Sequence, residues 1–476
     1  MNEFPRLVVA GIRGGAGKTT ASLAVIRVLR LLRGLRVVPF KKGPDYIDAG
    51  WLALAAGTPC YNLDPFLMSR ERLVASFVAH SAGDVAVIEG NRGLHDGVDA
   101  EGSYSTAELA KLIDAPVLLV VDCTKITRTA AALVLGCMKL DDAVAIRGVI
   151  LNQVSGSRHE SIIRSSIERY CSVPVVGALP RFRSGDFPER HMGLTPYQEH
   201  HDVTQAIRFI DEIAAKYLDV GVIYEIASGA GPVASAAETG EDAAATPGDA
   251  SCGLHGEGVT IGVIKDSAFQ FYYPENLDEL EKCGASLRMI NALDEGVLPG
   301  VDALYIGGGF PETNALRLAE NVAFRESILE AGERGLPIYA ECGGLMFLGE
   351  EISVGGRTHR MVGLLPLAFE MRGKPQAHGY TVVEVTDMNP FYPVGTVLHG
   401  HEFHYSEVTR TREKDGLTMA FTMRRGQGIV DKKDGICYKN VFGTYTHVHA
   451  LGAVEWAEGL ISKAREYKEL NERRHA

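Results

Sequence analysis

Residues 11–20 read GIRGGAGKTT and follow a short apolar stretch, which is the order of a strand, a loop and a helix start. In such a loop, glycine N–H groups surround phosphate oxygens and the helix N-terminus adds its dipole. Lys18 would then reach the β- and γ-phosphates, and Thr19 would offer its hydroxyl to Mg²⁺. Ile12 replaces the first glycine of the commonest pattern, so this is a variant phosphate loop. The residues expected to contact ATP there are Gly14, Gly15, Gly17, Lys18, Thr19 and Thr20.

A second reactive pattern lies at residues 336–346, LPIYAECGGLM, which predicts a strand, a sharp turn and a helix. The turn would leave Cys342 exposed at a helix N-terminus, where the dipole lowers the pKa of a thiol. We therefore expect Cys342 to be a nucleophile. Residues 307–309, three glycines after another strand, offer backbone N–H groups for an oxyanion hole. A thiol nucleophile needs a base, and residues 446–449, THVH, supply His447 and His449.

Charged side chains also end two strand patterns in the first half. Lys41 and Lys42 close one strand and are followed by GPDYID, which contains Asp48, whereas Glu89 closes the strand VAVIEG. Carboxylates at the carboxyl ends of parallel strands are well placed to hold Mg²⁺. Together with the phosphate loop they predict a metal–nucleotide site formed by Thr19, Asp48 and Glu89.

These residues need parallel sheets to position them. Short apolar runs alternate with helical patterns from residue 6 to about residue 225, and a second such series begins at residue 260. This alternation is typical of βαβ units. Between them, residues 226–257 are rich in small residues and lack apolar periodicity, so we expect a flexible linker. The predicted domains are residues 1–225 and 258–476.

Composition excludes several classes of protein. The chain has 476 residues, 46% hydrophobic and 23% charged, which suits a globular protein with more than one core. A net charge of −12 argues against nucleic acid or an anionic membrane as the main partner. No apolar run is long enough to span a bilayer and no signal peptide is apparent, so we expect a cytoplasmic protein with reduced cysteines.

The motifs together resemble a known family. The variant RGGAGKT is similar to the deviant Walker loops of partition ATPases, nitrogenase iron proteins, dethiobiotin synthetase and cobyrinate a,c-diamide synthase. Further blocks resemble the last of these families: FKKGPDYIDAGW (40–51), NLD (62–64), IEGNRGLHDG (88–97), STAELAKLIDAPVLLVVD (105–122) and PERHMGLTP (188–196). The resemblance covers nearly the whole chain apart from the linker. It implies two doubly wound α/β domains, an N-terminal dethiobiotin-synthetase-like P-loop domain and a C-terminal class I glutamine-amidotransferase-like domain.

The same resemblance implies roles for individual residues. Lys41 would contact the transferred phosphoryl group, Asp48 and Glu89 would hold Mg²⁺, and Asn152 would lie near the adenine. His447 occupies the place of the catalytic histidine. Class I amidotransferases usually have His-x-Glu there, and His449 stands where the Glu would be, which makes His449 the candidate orienting group.

The implied activity is ATP- and glutamine-dependent amidation of the a- and c-side-chain carboxylates of cobyrinic acid, a step of cobalamin biosynthesis. ATP, L-glutamine, Mg²⁺ and a polycarboxylate tetrapyrrole would be the small-molecule partners. The sequence is compatible with a monomer and with a homodimer. Cationic side chains available for substrate carboxylates are Lys42, Arg92, His95, Arg181, Arg183, Arg190 and His191.

Three alternatives stay open from the sequence. The family commonly has V-M-G-L-F/Y-D-G where this chain has NRGLHDG (91–97), so Arg92 and His95 alter the expected pocket and admit sirohydrochlorin, its nickel complex or sirohaem as substrate. A partition-type nucleotide switch, with Arg13 as a variant signature residue, is the alternative outside enzymes. The two histidines and the glutamate of residues 401–404 also suggest a metal, although their spacing matches no common zinc pattern.

Overall fold

A computed structural model describes residues 4–182, 189–190, 193–194, 196–197, 202–233 and 258–475 of the chain. The chain divides into two compact units, Met1–Pro65 with Ser69–Pro247, and Phe66–Met68 with Gly248–Ala476. Helical structure continues to Ser228, inside the range predicted as a linker, and residues 234–257 lie outside the described residues. The predicted domain boundaries therefore stay a prediction.

The first unit is built from strands and helices that alternate along the chain. Its strands are β1 (Arg6–Gly11), β2 (Val37–Lys42), β3 (Tyr61–Leu63), β4 (Val85–Gly93), β5 (Val117–Asp122), β6 (Ile146–Val154), β7 (Val175–Pro180), β8 (Glu189–Arg190) and β9 (Gly193–Leu194). Its helices are α1 (Lys18–Arg33), α2 (Ile47–Ala56), α3 (Arg70–His80), α4 (Thr106–Leu112), α5 (Thr129–Leu140), α6 (Ser157–Cys171), α7 (Val203–Tyr217) and α8 (Val220–Ser228).

Seven of these strands form one parallel sheet in the order β3-β2-β4-β1-β5-β6-β7. The central strand β1 is buried along its whole length, as expected for a parallel strand that helices cover on both faces. From β1 the chain passes to β2 and β3 on one side, returns to β4 beside β1, and then continues on the other side through β5, β6 and β7. Ligands of such sheets bind where the direction changes, at the carboxyl ends of the strands. The loop after β1 occupies that position.

The second unit has a larger mixed sheet. Its strands are β10 (Thr260–Ile264), β11 (Phe269–Phe271), β12 (Ser286–Ile290), β13 (Ala303–Ile306), β14 (Gly308–Gly309), β15 (Ile338–Glu341), β16 (Glu351–Val354), β17 (Arg357–Arg360), β18 (Leu367–Met371), β19 (Ala377–Val385), β20 (Val397–His404), β21 (Ser406–Thr411), β22 (Leu417–Arg425), β23 (Lys433–Tyr438), β24 (Val441–Thr444) and β25 (His447–Val448). Its helices are α9 (Pro274–Lys282), α10 (Ala315–Glu320), α11 (Val322–Glu333), α12 (Gly343–Leu348) and α13 (Val454–His475), with a short 3-10 helix at Pro311–Asn314.

Ten of these strands pair in the order β12-β10-β13-β15-β24-β23-β22-β19-β20-β25. The first five are parallel, and the rest are joined by antiparallel pairings. Because β25 returns to pair with β20, the residues at the end of the chain's last strand come to lie beside residues 400 and 401. The predicted fold class, two α/β domains, is confirmed.

Across the described parts of the chain, no helix combines the length and the apolarity that a membrane-spanning segment requires.

Candidate functional site

The loop between β1 and α1 has the backbone of a phosphate loop. Gly15 (φ 71°) and Gly17 (φ 88°) are left-handed, a region in which glycine is strongly favoured. The side-chain amide of Asn152, at the end of β6, donates to the carbonyl of Ala16 (2.9 Å) and packs so closely that a Cβ on Gly17 would lie 2.0 Å from its nitrogen. Asn152, expected near an adenine, therefore lies against the loop itself, and its adenine contact stays a prediction.

The first turn of α1 presents the two side chains expected at the phosphates and the metal. Lys18 is 9% exposed, and burial together with the charge of Lys41 lowers its pKa. The hydroxyl of Thr19 donates to Oε1 of Glu89 (2.9 Å), so α1 is tied to the end of β4. Thr20 is half-buried beside them. The loop and the predicted acidic residues are thus joined in one site.

Lys41 is the centre of this site. Its ammonium lies 2.8 Å from Glu89 Oε1 and 2.8 Å from Asp48 Oδ2, and 3.9 Å from Asp45 Oδ2. The parallel register of β2 and β4 places Lys41 directly beside Glu89. Although burial opposes it, the carboxylates of Asp48 and Glu89 hold the pKa of Lys41 well above its ordinary value. Burial, with the charge of Asp48, raises the pKa of Asp45 to about 7.

The oxygen ligands around Lys41 fit Mg²⁺. Glu89 is completely buried, and its Oε2 has no hydrogen-bond partner among the described residues. Within the same described residues no cluster of three or more acidic, histidine or cysteine side chains forms a metal cage. Mg²⁺ keeps several waters and usually binds one or two carboxylates plus substrate phosphates, so Asp48, Glu89 and the hydroxyl of Thr19 are a suitable donor set.

The cations expected to meet substrate carboxylates differ in placement. Lys42 is buried at the end of β2, and burial lowers its pKa, with Arg92 adding to the shift. Arg92 is exposed with φ 51°, and Nε2 of His95 lies 3.0 Å from the carbonyl oxygen of Cys137. Arg181 is exposed. Arg183, His191 and the side chain of Arg190 lie outside the described residues.

Arg13, the loop residue of the switch alternative, pairs with a residue at the end of β5. Its guanidinium donates to Asp122 Oδ2 (2.5 Å), and its side chain is 62% exposed. The two residues line a pocket of about 510 Å³ that continues to Leu133 and Cys137 on α5. A phosphate contact of Arg13 stays a prediction.

In the second unit, Cys342 lies between β15 and α12 with φ 47° and ψ −97°, a strained conformation for a residue with a side chain. Its backbone N–H donates to the carbonyl oxygen of Thr444 (2.7 Å). Gly344, two residues later, has no room for a side chain, because a Cβ would lie 2.4 Å from the carbonyl oxygen of Ile306. The predicted strand, sharp turn and helix are all present.

The expectation that Cys342 is exposed is wrong, since only 6% of the residue is accessible. Its Sγ lies 3.8 Å from the carbonyl oxygen of Phe403 on β20. The sequence pattern describes only the turn, whereas the residue that covers the thiol comes from a strand 61 positions later.

His447, the predicted base, lies at Cys342 and is held by Glu341. Nδ1 of His447 lies 3.1 Å from Oε2 of Glu341, and both residues are buried. Although burial alone would lower it, hydrogen bonds to Cys342 and Glu341 raise the pKa of His447 to about 10. The ring of His401 stacks on His447, with centroids 4.8 Å apart. Thiol, imidazole and carboxylate therefore form one connected, buried group.

Sequence reasoning named His449 for the orienting position and missed Glu341. His449 is buried with Nε2 3.5 Å from Glu275 Oε1, and its ring lies against Tyr273. A signal for Glu341 was present, because an acidic residue that ends the apolar strand IYAE must be buried and must then have a partner.

The glycines of residues 307–309 lie at the same place. A Cβ on Gly308 would be 2.6 Å from Cε1 of His447, and one on Gly343 would be 3.0 Å from the backbone nitrogen of Gly309. The glycine segment thus borders both the base and the start of α12. The N–H of Gly307 donates to the hydroxyl of Tyr272 (2.7 Å), so the oxyanion hole expected of this segment is left to Gly308 and Gly309 and stays a prediction.

The residues that suggested a second metal have separate partners. Glu402 accepts from the N–H groups of Gln427 (2.6 Å) and Gly428 (3.0 Å), and Nδ1 of His404 lies 2.8 Å from the carbonyl of Ser406. Burial lowers the pKa of His404 to about 4, so it is neutral at pH 7. His401 stacks on His447 instead. Residues 401–404 are therefore held within β20 by these contacts, and among the described residues they form no group that could hold a metal ion.

Two family models match the chain. Residues 7–194 match the CobQ/CobB/MinD/ParA nucleotide binding domain, and residues 260–454 match the CobB/CobQ-like glutamine amidotransferase domain. A relative from Magnetococcus marinus, named cobyrinate a,c-diamide synthase, is 43% identical over 98% of both chains. A relative of the same name from Archaeoglobus fulgidus is 41% identical over 98% of this chain and 99% of its own length.

The close contact at Gly17 generates a first prediction. Gly17→Ala forces a left-handed alanine and pushes its methyl group into Asn152, so ATP affinity should fall about 10-fold or more. Isothermal titration calorimetry with MgATP measures this. Gly136→Ala, at an exposed position of α5 with open space around the added methyl, is the matched control and should bind ATP normally. Equal affinity of the two variants would contradict the role of the Gly17 backbone.

The pair Glu341–His447 generates a second prediction. Because the folded pKa of His447 is raised, its proton stabilises the fold fully below about pH 6.5, and this contribution is lost as the pH rises through about 10. Glu341→Gln should move the titration of His447 to lower pH, measured by NMR of histidine-labelled protein. His449→Gln should leave that titration unchanged. The opposite pattern would restore His449 as the orienting group.

Proposed function

The chain belongs to the cobyrinate a,c-diamide synthase family of glutamine-dependent ligases, and we propose that it amidates the a- and c-side-chain carboxylates of cobyrinic acid with ATP and glutamine. The observation that carries this proposal is that one chain contains two complete sets of site residues, one in each unit. One unit carries a phosphate loop with buried Lys41, and the other carries a buried thiol with a carboxylate-held histidine.

In the second unit, the sulfur of Cys342 attacks the side-chain amide carbon of glutamine. The N–H groups of Gly308 and Gly309 stabilise the oxyanion, and the proton on His447 goes to the amide nitrogen, which leaves as ammonia. Water then cleaves the thioester to glutamate and restores the thiol. Glu341 holds the imidazole in position and stabilises its positive charge whenever it is protonated.

In the first unit, a substrate carboxylate oxygen attacks the γ-phosphorus of ATP, and ADP leaves. The product is an acyl phosphate, because a free carboxylate is a poor electrophile with no good leaving group. Ammonia attacks the acyl carbon, inorganic phosphate leaves, and a carboxamide remains. Lys18 and Lys41 stabilise the charge on the transferring phosphoryl group.

Thr19, Asp48 and Glu89 would hold Mg²⁺, which would neutralise charge on the phosphate oxygens. Lys41 already balances two carboxylates, so the site keeps its negative residues close together before the metal and nucleotide enter. Lys42 and Arg92 are described cations suited to substrate carboxylates, and the charge of Arg92 contributes to the lowered pKa of Lys42.

The cytoplasmic location and the assembly as a monomer or homodimer stay predictions from the sequence. A sirohydrochlorin-type substrate is the second candidate, and the observation that favours it is the exposed Arg92 in place of the family's common apolar residue.

The substrate is tested by mass spectrometry of products formed from cobyrinic acid, with sirohydrochlorin and its metal complexes in parallel. Two amidations lower the mass by about 2 Da, because each exchanges –OH for –NH₂. Cys342→Ala should abolish amidation with glutamine and retain it with ammonia, whereas Cys283→Ala, another buried cysteine of the same unit, should retain both. Amidation of the sirohydrochlorin series alone would overturn the substrate and keep the mechanism.

The ligase step is tested with Lys41→Met, which removes the charge and keeps the length of the side chain. Amidation driven by ammonia should fall about 100-fold or more, because a preorganised charge at the phosphoryl group is lost. Glutaminase activity should persist. Lys139→Ala, at a 70% exposed side chain, is the control and should amidate normally. Normal amidation by Lys41→Met would remove Lys41 from the mechanism.

A further inference from the structure

A buried carboxylate that the proposed chemistry does not use lies at the start of β23. Asp434 is completely buried. Its Oδ1 accepts from the N–H groups of Gly435 (2.9 Å) and Tyr445 (3.0 Å), and its Oδ2 accepts from the hydroxyl of Thr444 (2.8 Å) and the N–H of Thr446 (3.0 Å). All four donors are uncharged. Each carboxylate oxygen thus has two partners, which compensate for its removal from water.

Three of the four donors belong to one short segment, residues 444–446, which connects β24 to β25. This segment serves both reacting groups of the amidotransferase site. The carbonyl of Thr444 accepts the backbone N–H of Cys342 (2.7 Å), and His447 directly follows Thr446. Asp434 is therefore linked to Cys342 through one residue, Thr444, and to His447 through one residue, Thr446.

The backbone of Cys342 makes this restraint important. A residue with a side chain adopts φ 47° and ψ −97° only where its surroundings hold the backbone there. The pairing of Glu341 with Thr444 and the bond from Cys342 to Thr444 are two of the fixing contacts. Both contacts depend on the position of Thr444, whose hydroxyl donates to Asp434.

The local sequence is adapted to this arrangement. Gly435, which follows Asp434, has φ 66°, and its N–H turns back to the carboxylate. A Cβ on Gly435 would lie 2.9 Å from ring atoms of Phe421 and Phe442. The Asp-Gly pair therefore supplies the acceptor carboxylate and, directly after it, the glycine that this position requires.

We propose that Asp434 is a positioning residue for glutamine hydrolysis, which holds Cys342 and His447 in their mutual geometry through residues 444–446. This inference rests on the proposed glutaminase function of the second unit. Asp434 acts through these neighbours and takes no part in the proton transfers.

The test is Asp434→Asn. The amide keeps one acceptor oxygen and turns an NH₂ toward two donors, so two of the four hydrogen bonds are lost. We expect kcat for glutaminase to fall about 10- to 100-fold with little change in KM, and alkylation of Cys342 by iodoacetamide to slow with an altered pH profile. Ammonia-driven amidation should be unchanged, because the first unit is untouched.

Asp302→Asn is the matched control. Asp302 also accepts a backbone N–H, that of Thr260 (2.8 Å), but it precedes β13 at the amino-terminal edge of the parallel strands, whereas Cys342 follows the carboxyl end of β15. This variant should keep the glutaminase rate and the alkylation profile. A purely structural role of Asp434 would lower the melting temperature and leave both readouts of the folded variant unchanged, which would overturn the proposal.

Thr444→Val decides the question if Asp434→Asn does not fold by circular dichroism. It removes one donor to Asp434, together with the acceptor that the hydroxyl offers to the N–H of Thr446 (3.0 Å), and it keeps the carboxylate, so we expect a fall of about 3- to 10-fold in kcat and in the alkylation rate. A Thr444→Val variant with wild-type values for both would refute the proposal. If the wild-type chain hydrolyses no glutamine, the proposed function fails instead, and the two failures are thereby separated.

Discussion

Each unit buries an ion pair at the carboxyl ends of its parallel strands, and the geometry of each site depends on that pair. In the first unit Lys41 on β2 meets Glu89 on β4, and in the second Glu341 on β15 meets His447 on β25. A charge removed from water is tolerated only with a partner, and loss of one partner costs about 3–5 kcal/mol. Strand register is therefore fixed by charge at these ends as well as by apolar burial.

The sequence predicted those features that depend on neighbouring residues. The phosphate loop is recognisable because its glycines, Lys18 and Thr19 are contiguous and a helix follows directly. Alternating apolar runs predicted the parallel strands, since strands covered on both faces are continuously apolar. Lys41 and Glu89 could be placed together because both end strands of one sheet, and the carboxyl ends of parallel strands share an edge.

Features that depend on distant pairings could not be predicted in this way. The partner of His447 lies 106 residues away, and the carbonyl that covers Cys342 lies 61 residues away. Both contacts join the end of β15, in the parallel half of the second sheet, to the antiparallel pair β20 and β25. Motif spacing led to His449, whose position two residues after His447 repeats the usual pattern. The fold instead places its ring beside Tyr273 and Glu275.

The two buried pairs have opposite consequences for chemistry. At Lys41 two carboxylates surround one ammonium, so the cation keeps its proton and serves as a fixed charge for a phosphoryl group. At His447 one carboxylate and one thiol contact a single imidazole, which can give a proton to a reacting group and take it back. Proton transfer needs a group whose charge can change during the reaction, whereas phosphoryl transfer needs one whose charge does not. Histidine in the one site and lysine in the other satisfy these two requirements with similar burial and similar carboxylate partners.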